Sequence, residues 1–300
     1  MVRIKVEVFL FNYFSRTGST FLLKELSKIT NVAAIPEFDY LDNYLSVHEE
    51  RADKVLLPKL GELIAQDVKL PLELRERLLL ELTAINILTT NELIERTANI
   101  HADYYYQGRD LTVVIIKSML WMYNPKSFKL NLSEKTNLFL TRDPKDTLRS
   151  QISNVKLDGK SFAFNVLDYY LRYRFYCFCK QHYSDLHFHY DDLGQCTEAL
   201  LMFLNNEHDE AKFVLSKESK FYVPNNQKYL HVNVARSFGR TPTENIAVNG
   251  FDKLAKELQL VQNKKGIYYY LSFMKLIFCE PAQIRGHVKR GLFVLKEIYG

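Results

Sequence analysis

Residues Val6 to Leu26, VEVFLFNYFSRTGSTFLLKEL, restrict the fold more than any other stretch of the chain. The apolar and β-branched run Val6, Val8, Phe9, Leu10 and Phe11 stops at Ser15-Arg16-Thr17-Gly18-Ser19-Thr20, and Phe21, Leu22, Leu23 and Leu26 then recur at helical spacing. The pattern predicts strand, tight turn, helix. Such a turn aims the unpaired N–H groups of the first helical turn, and the positive end of its dipole, at one point. An anionic group fits there: Gly18 permits close backbone approach, Ser19 and Thr20 carry hydroxyls, and Arg16 carries a forked cation suited to phosphate or sulfate. The residues alone leave a second reading open, a βα turn with a Ser/Thr cap. Two generic phosphate motifs do not fit. G-x-x-x-x-G-K-[ST] needs a lysine just before the Ser/Thr, and G-x-G-x-x-G needs three glycines.

Length and composition bound the rest. Three hundred residues suit one large α/β domain, residues 1–300, carrying a helical insertion. With 47% hydrophobic and 25% charged residues, the composition is that of a folded globular chain. No apolar run reaches the roughly 18 to 20 residues of a membrane span, and no signal-peptide pattern opens the chain, so a soluble, cytoplasmic protein is expected. A net charge of +5 suits small polyanions and is too weak to indicate nucleic acid. Cys177, Cys179, Cys196 and Cys279 form no C-x-x-C pair, and the first two lie in the aromatic run YRFYCFCK; they read as core thiols, and no metal site is expected.

Further candidates follow in chain order. Asn31 to Tyr40 is a short apolar segment ending at Pro36-Glu37, and a carboxylate beyond a buried strand lies near the ligand-binding edge of an α/β sheet. Position alone leaves Glu37 either a catalytic base or a helix cap. From about 48 to 105 the pattern is helical and rich in Leu, with Pro71 placed as a helix starter; it is expected to pack over one end of the sheet and wall an acceptor pocket. Leu111 to Ile116, LTVVII, predicts a central parallel strand with Lys117 at its C-terminal end, either facing a ligand or simply solvated. Thr136 to Leu140 predicts another strand, which leaves Arg142 at its end and Ser150 about two turns into a following helix. Trp121, Tyr104, Tyr105 and Tyr106 are either core residues or faces for sugar rings.

Taken together, R-T-G-S-T after the first strand and R-D-P-(x)5-S from Arg142 to Ser150 resemble the 5′-phosphosulfate loop and the 3′-phosphate motif of sulfotransferases that use 3′-phosphoadenosine 5′-phosphosulfate (PAPS). Arg16 and Glu37 stand 21 apart, and R-T-G-S-T…P-E-F followed by K-S-M-L-W is similar to bacterial trehalose and glycolipid sulfotransferases. Protein-tyrosine sulfotransferases resemble it in the same Arg-to-Glu spacing. Aryl and steroid sulfotransferases instead use a histidine two residues after the corresponding lysine, a place held here by Met119. The chain departs from the family in two places. Asn12-Tyr13-Phe14 stands where small Gly or Pro residues usually precede the loop, and one extra residue separates Lys117 from Trp121.

The resemblance implies a P-loop-like α/β sulfotransferase fold with a central parallel sheet flanked by helices. It implies Glu37 as base, with Lys117 and Arg16 also catalytic, and donor binding by Arg16, Thr17, Gly18, Ser19, Thr20, Arg142 and Ser150. PAPS would be co-substrate, adenosine 3′,5′-bisphosphate (PAP) the product, and the acceptor a small molecule or glycan, with no metal. His187 to Leu193 resembles the late Y-E-D-L strand and helix of the family, a structural element, and Arg236 to Arg240 is a candidate loop over the donor. The alternatives are a PAP-binding module without chemistry, a sulfotransferase for a phenol or tyrosine, and a nucleotide-dependent kinase, which the missing lysine of the turn disfavours.

Overall fold

A computed structural model describes residues 6–14, 17–36, 40, 41, 44, 57–68, 70–84, 89–107, 109–118, 135–143, 146, 147, 162–208, 212–217 and 281–299. Its centre is a five-stranded parallel sheet in the order β2-β3-β1-β4-β5. The strands are β1 (Glu7–Tyr13), β2 (Val32–Ile35), β3 (Val113–Ser118), β4 (Asn137–Thr141) and β5 (Leu186–His189). The run predicted as a central strand at 111–116 begins and ends two residues later. The apolar residues stop at Ile116, but the ladder to β1 continues through Phe11↔Lys117 and Asn12↔Ser118, so pairing carries Lys117 into the strand.

Alternation along the strands splits the core in two. Phe9 and Phe11 of β1 point to one face with Val113 and Ile115 of β3, and meet α1 (Ser19–Leu26) and α6 (Leu193–Glu207) through Leu22, Leu23, Leu26, Leu200 and Leu204. Val8, Leu10, Val114 and Ile116 point to the other. That second face is covered by the leucine-rich segment, which forms α2 (Leu57–Gln66), α3 (Leu72–Thr83, with Pro71 at its N-cap) and α4 (Thr90–Tyr105). The segment thus packs on the face formed by β1, β2 and β3. Covering that apolar face is favourable, since each buried Leu or Phe contributes roughly 1.5–3 kcal/mol that an uncovered face would forfeit. A capping box starts α4, with the Thr89 side chain accepting from the Glu92 N–H and the Glu92 carboxylate accepting from the Thr89 N–H.

The outer strand β2 is sealed by a side chain. The Tyr106 hydroxyl accepts from the Ala34 N–H at 3.2 Å and donates to the Ala34 carbonyl at 2.9 Å, pairing both backbone groups of an edge residue. Burial pushes the phenol up to about 12. Tyr104 and Tyr105 meet edge to face beside the same core, so all three tyrosines weighed as sugar platforms pack against the core.

Backbone contacts divide the chain into two compact units, and the sheet with α1 to α4 and α6 belongs to the first. The second contains Phe14–Thr17, Arg142–His182 and Phe238–Gly300. Within it, α5 (Phe162–Tyr183) meets α7 (Pro281–Tyr299) through Phe175 and Phe293, with the Arg290 guanidinium 6.0 Å from the Phe175 ring. Cys177 and Cys179 lie on α5 and Cys196 on α6, all three as free thiols whose pKa burial raises. No helix among the described residues is long and apolar enough to cross a membrane.

One buried pair in the first unit makes stability depend on pH. His101 of α4 is buried; its Nε2 shares a 3.1 Å hydrogen bond with the Tyr40 hydroxyl, and the two rings stack. Burial lowers the imidazole pKa from 6.5 to about 3. The unfolded chain therefore takes a proton near 6.5 that the folded chain refuses until about 3, so stability is lost as pH falls through that window. The expected loss between pH 7.5 and pH 5 is about 2 kcal/mol from this residue. Urea unfolding at the two pH values should show His101→Gln less acid-sensitive by that amount; equal sensitivity would mean that His101 is protonated in the fold.

Candidate functional site

In this strand order the connection leaving β1 runs toward β2, on one side, while β5 lies on the other side of β4. Adjacent strands whose connections run in opposite directions open a crevice at their C-terminal ends, and ligands of open α/β sheets bind there. Thr17 and Gly18 follow β1 in the chain, and Arg142 follows β4 directly. β1 and β4 are paired neighbours in the sheet.

The turn is not capped in the ordinary way. Thr17 is fully buried, and its N–H and hydroxyl both donate to the Phe14 carbonyl, at 3.2 and 2.6 Å. Its side chain points back along the chain and leaves the helix start alone. Gly18 is the N-cap of α1, in the left-handed region at φ 82°, and no side chain caps the helix. The Ser/Thr-capped alternative is thereby excluded. Ser19 and Thr20 sit inside the first turn, whose N–H groups have no intrahelical carbonyl to bond.

Gly18 is required twice over. Its positive φ disfavours any Cβ, and a Cβ built there would lie 2.6 Å from the ring of Tyr190. Tyr190 belongs to the short 3-10 turn Tyr190–Asp192 between β5 and α6. The segment expected as the late strand and helix, His187 to Leu193, runs from β5 through this turn to the first residue of α6, and it supplies the ring packed on Gly18.

Lys117 arrives from β3. Its ammonium donates to the Thr20 hydroxyl at 3.2 Å and stands 4.3 Å from the centroid of the Tyr13 ring. The side chain is only 6% exposed. A phosphate-binding turn commonly carries its own lysine; here an ammonium reaches the first turn of α1 from another strand. Gly18, Ser19, Thr20 and Lys117 are therefore brought together, and Tyr13, a residue not singled out in the sequence, stands with them.

In the second unit, Arg142 is buried at 8% exposure. The Asp143 carbonyl accepts from the Thr147 N–H and hydroxyl, and its carboxylate accepts from the Asp146 N–H, so this aspartate starts the helical turn that follows. Tyr173 of α5 donates its hydroxyl to the Arg142 carbonyl at 3.1 Å and sets its ring edge-on against Phe14, at 5.4 Å and 85°. Burial raises this phenol well above its usual range. One side chain thus contacts Phe14, two residues before the first motif, and Arg142, the first residue of the second. Arg16, Glu37 and Ser150 lie outside the described residues, as do Met119, Trp121 and Arg236 to Arg240.

Among solved structures, the chain is similar to the sulfotransferase domain from the curacin biosynthetic pathway, with 14% identity, a TM-score of 0.45, and coverage of 86% of this chain and 98% of that one. It is also similar to a sulfotransferase from Alicyclobacillus acidocaldarius, with 12% identity, a TM-score of 0.39, and coverage of 84% and 94%. No protein-family model and no curated protein matches the chain. Likenesses this distant carry no argument about activity.

The two constraints on Gly18 can be separated. Gly18→Ala should cost roughly 1–2 kcal/mol for the left-handed backbone, with a further loss from the Tyr190 overlap. In a Tyr190→Ala background only the backbone cost should remain. Equal losses in both backgrounds, read from urea midpoints, would mean that the ring does not seal the turn.

Proposed function

We propose that this chain is a sulfotransferase that moves the sulfuryl group of PAPS to an acceptor hydroxyl, on a carbohydrate or glycolipid. The observation that carries the reading is the uncapped N-terminus of α1, with the Lys117 ammonium held at Thr20 on its first turn. An anion is the ligand such a group of donors satisfies, and the R-D-P-(x)5-S pattern supplies a partner for a second phosphate.

In this mechanism the N–H groups from Thr17 to Thr20 and the cations of Arg16 and Lys117 bind the 5′-phosphosulfate. Arg142 and Ser150 hold the 3′-phosphate. Glu37 removes the acceptor proton as the acceptor oxygen attacks sulfur in line, and the bond from sulfur to the 5′-phosphate oxygen breaks. PAP leaves with that electron pair. Lys117 and Arg16 meet the charge that grows on the leaving phosphate and the sulfuryl oxygens, so catalysis is by positioning and fixed charge.

Purified protein incubated with labelled PAPS and a panel of sugars, glycolipids, phenols and peptides tests the reading. Sulfated sugar or glycolipid is the expected product, and product on phenol or tyrosine alone would move the acceptor class. PAP binding without product would leave a nucleotide-binding module, whereas preference for ATP with magnesium would point to a kinase. Arg142→Ala should weaken PAP binding by about 1.5–3 kcal/mol in calorimetry, the range for a hydrogen bond to a charged group. Unchanged affinity would remove the second motif from the site. Glu37→Gln should lower turnover by roughly 10²- to 10⁴-fold with donor affinity retained. Normal turnover would assign the base elsewhere, with His48 the next candidate.

A further inference from the structure

We propose that Tyr173 is a positioning residue: it ties the backbone of Arg142 to the residues that lead into the first motif, so that the 3′-phosphate of a bound nucleotide meets a guanidinium already set in place. The ligand is taken from the sulfotransferase reading. Phe14, Thr17, Arg142, Tyr173 and Tyr176 all belong to one compact unit. Tyr173 and Tyr176 stand three residues apart on the 22-residue helix α5, a spacing that puts both on one face. Each sets its ring edge-on against Phe14, with centroids at 5.4 and 5.7 Å and planes at 85° and 61°. Phe14 and Tyr176 are buried, and the Phe14 carbonyl accepts from both the N–H and the hydroxyl of Thr17. The entry to the first motif is thus anchored to α5 through one ring.

The far end of the same side chain reaches the second motif. Its hydroxyl donates to the Arg142 carbonyl at 3.1 Å, while Thr147 closes a turn on the next carbonyl, that of Asp143, with its N–H at 3.0 Å and its hydroxyl at 2.9 Å. The residue that carries the guanidinium is therefore held between the end of β4, a helical turn and a phenol. Tyrosine suits this task because ring and hydroxyl move as one rigid body about two torsions, so little entropy is lost in fixing both contacts. Burial holds the phenol protonated at neutral pH, and the hydroxyl stays a donor. Cys177, one turn along α5, lies beside the same hydroxyl. A nucleotide with two phosphates gains fully from two motifs only when their spacing matches its own. Its second phosphate binds as an intramolecular event, and slack in the spacing lowers the effective concentration. Phenylalanine at position 173 would keep the ring against Phe14 and release the Arg142 carbonyl, so one oxygen atom separates the two contacts.

The test compares PAP with adenosine 5′-monophosphate, which lacks the 3′-phosphate, by calorimetry on the whole chain. Tyr173→Phe should bind PAP about 2- to 12-fold more weakly, the range for one lost hydrogen bond, with its affinity for the monophosphate retained. Tyr173→Leu, which also loses the ring against Phe14, should weaken both ligands. In an Arg142→Ala background, Tyr173→Phe should change PAP affinity no further, because the hydroxyl acts through that guanidinium. A residue that merely stabilises the fold would not give this pattern. Unchanged PAP affinity in Tyr173→Phe, an equal loss for the two ligands, or the same loss in the Arg142→Ala background overturns the proposal and leaves the sulfotransferase reading intact. A wild type that binds no PAP overturns that reading and the proposal with it. Should Tyr173→Leu fail to fold, Tyr173→Phe and its combination with Arg142→Ala decide the matter, since neither change removes a core side chain's ring.

Discussion

The ligand end of the sheet depends on one left-handed residue. β1 runs through the centre of the core and must turn into α1 within a few residues. Gly18 makes that turn at φ 82°. Thr17 is drawn back onto the Phe14 carbonyl, so its hydroxyl does not cap the helix, and the ring of Tyr190 fills the space a side chain at residue 18 would take. The result is a helix start whose N-cap residue provides no side-chain cap and whose protein side is closed by a ring. Lys117 then adds charge from a strand that pairs beside β1.

The second unit holds a bridge of its own. Tyr173 joins Phe14, which begins the turn, to the backbone of Arg142, which begins the second motif. The two motifs lie more than a hundred residues apart in sequence. A hydrogen bond to a carbonyl and an edge-on ring contact are modest individually, of order 1 kcal/mol each. Their value lies in fixing two loop ends by one rigid side chain on a long helix.

Much of this was legible in the residues. The break from VFLF to R-T-G-S-T and back to helical spacing specified strand, turn and helix, and LTVVII specified a buried parallel strand, because burial on both faces leaves no polar residue in such a run. The end of that strand was misjudged for a related reason: apolar composition stops at Ile116, whereas hydrogen bonding to β1 does not. The leucines of 57–83 revealed helices but not whether they cover a face or an end of the sheet, since periodicity says which side is apolar and nothing about what it meets. Tyr13, Tyr173 and Tyr190 were not legible as supports of the site. An aromatic residue in a core-rich stretch reads as packing, and packing is what these three do; their importance comes from the groups they pack against.

The central position of β1 has a consequence for how the chain is made. Its partners on either side, β3 and β4, are encoded more than a hundred residues later. At typical rates of synthesis the first strand leaves the ribosome roughly 5–25 s before β4 exists to pair with it. Until β3 emerges, for most of that interval, Phe9, Leu10 and Phe11 have neither neighbour, and pairing across so long a loop is intrinsically slow. Among the described strands, the one at the centre of the sheet thus waits longest for its partners and stays exposed meanwhile to chaperones and to other nascent chains.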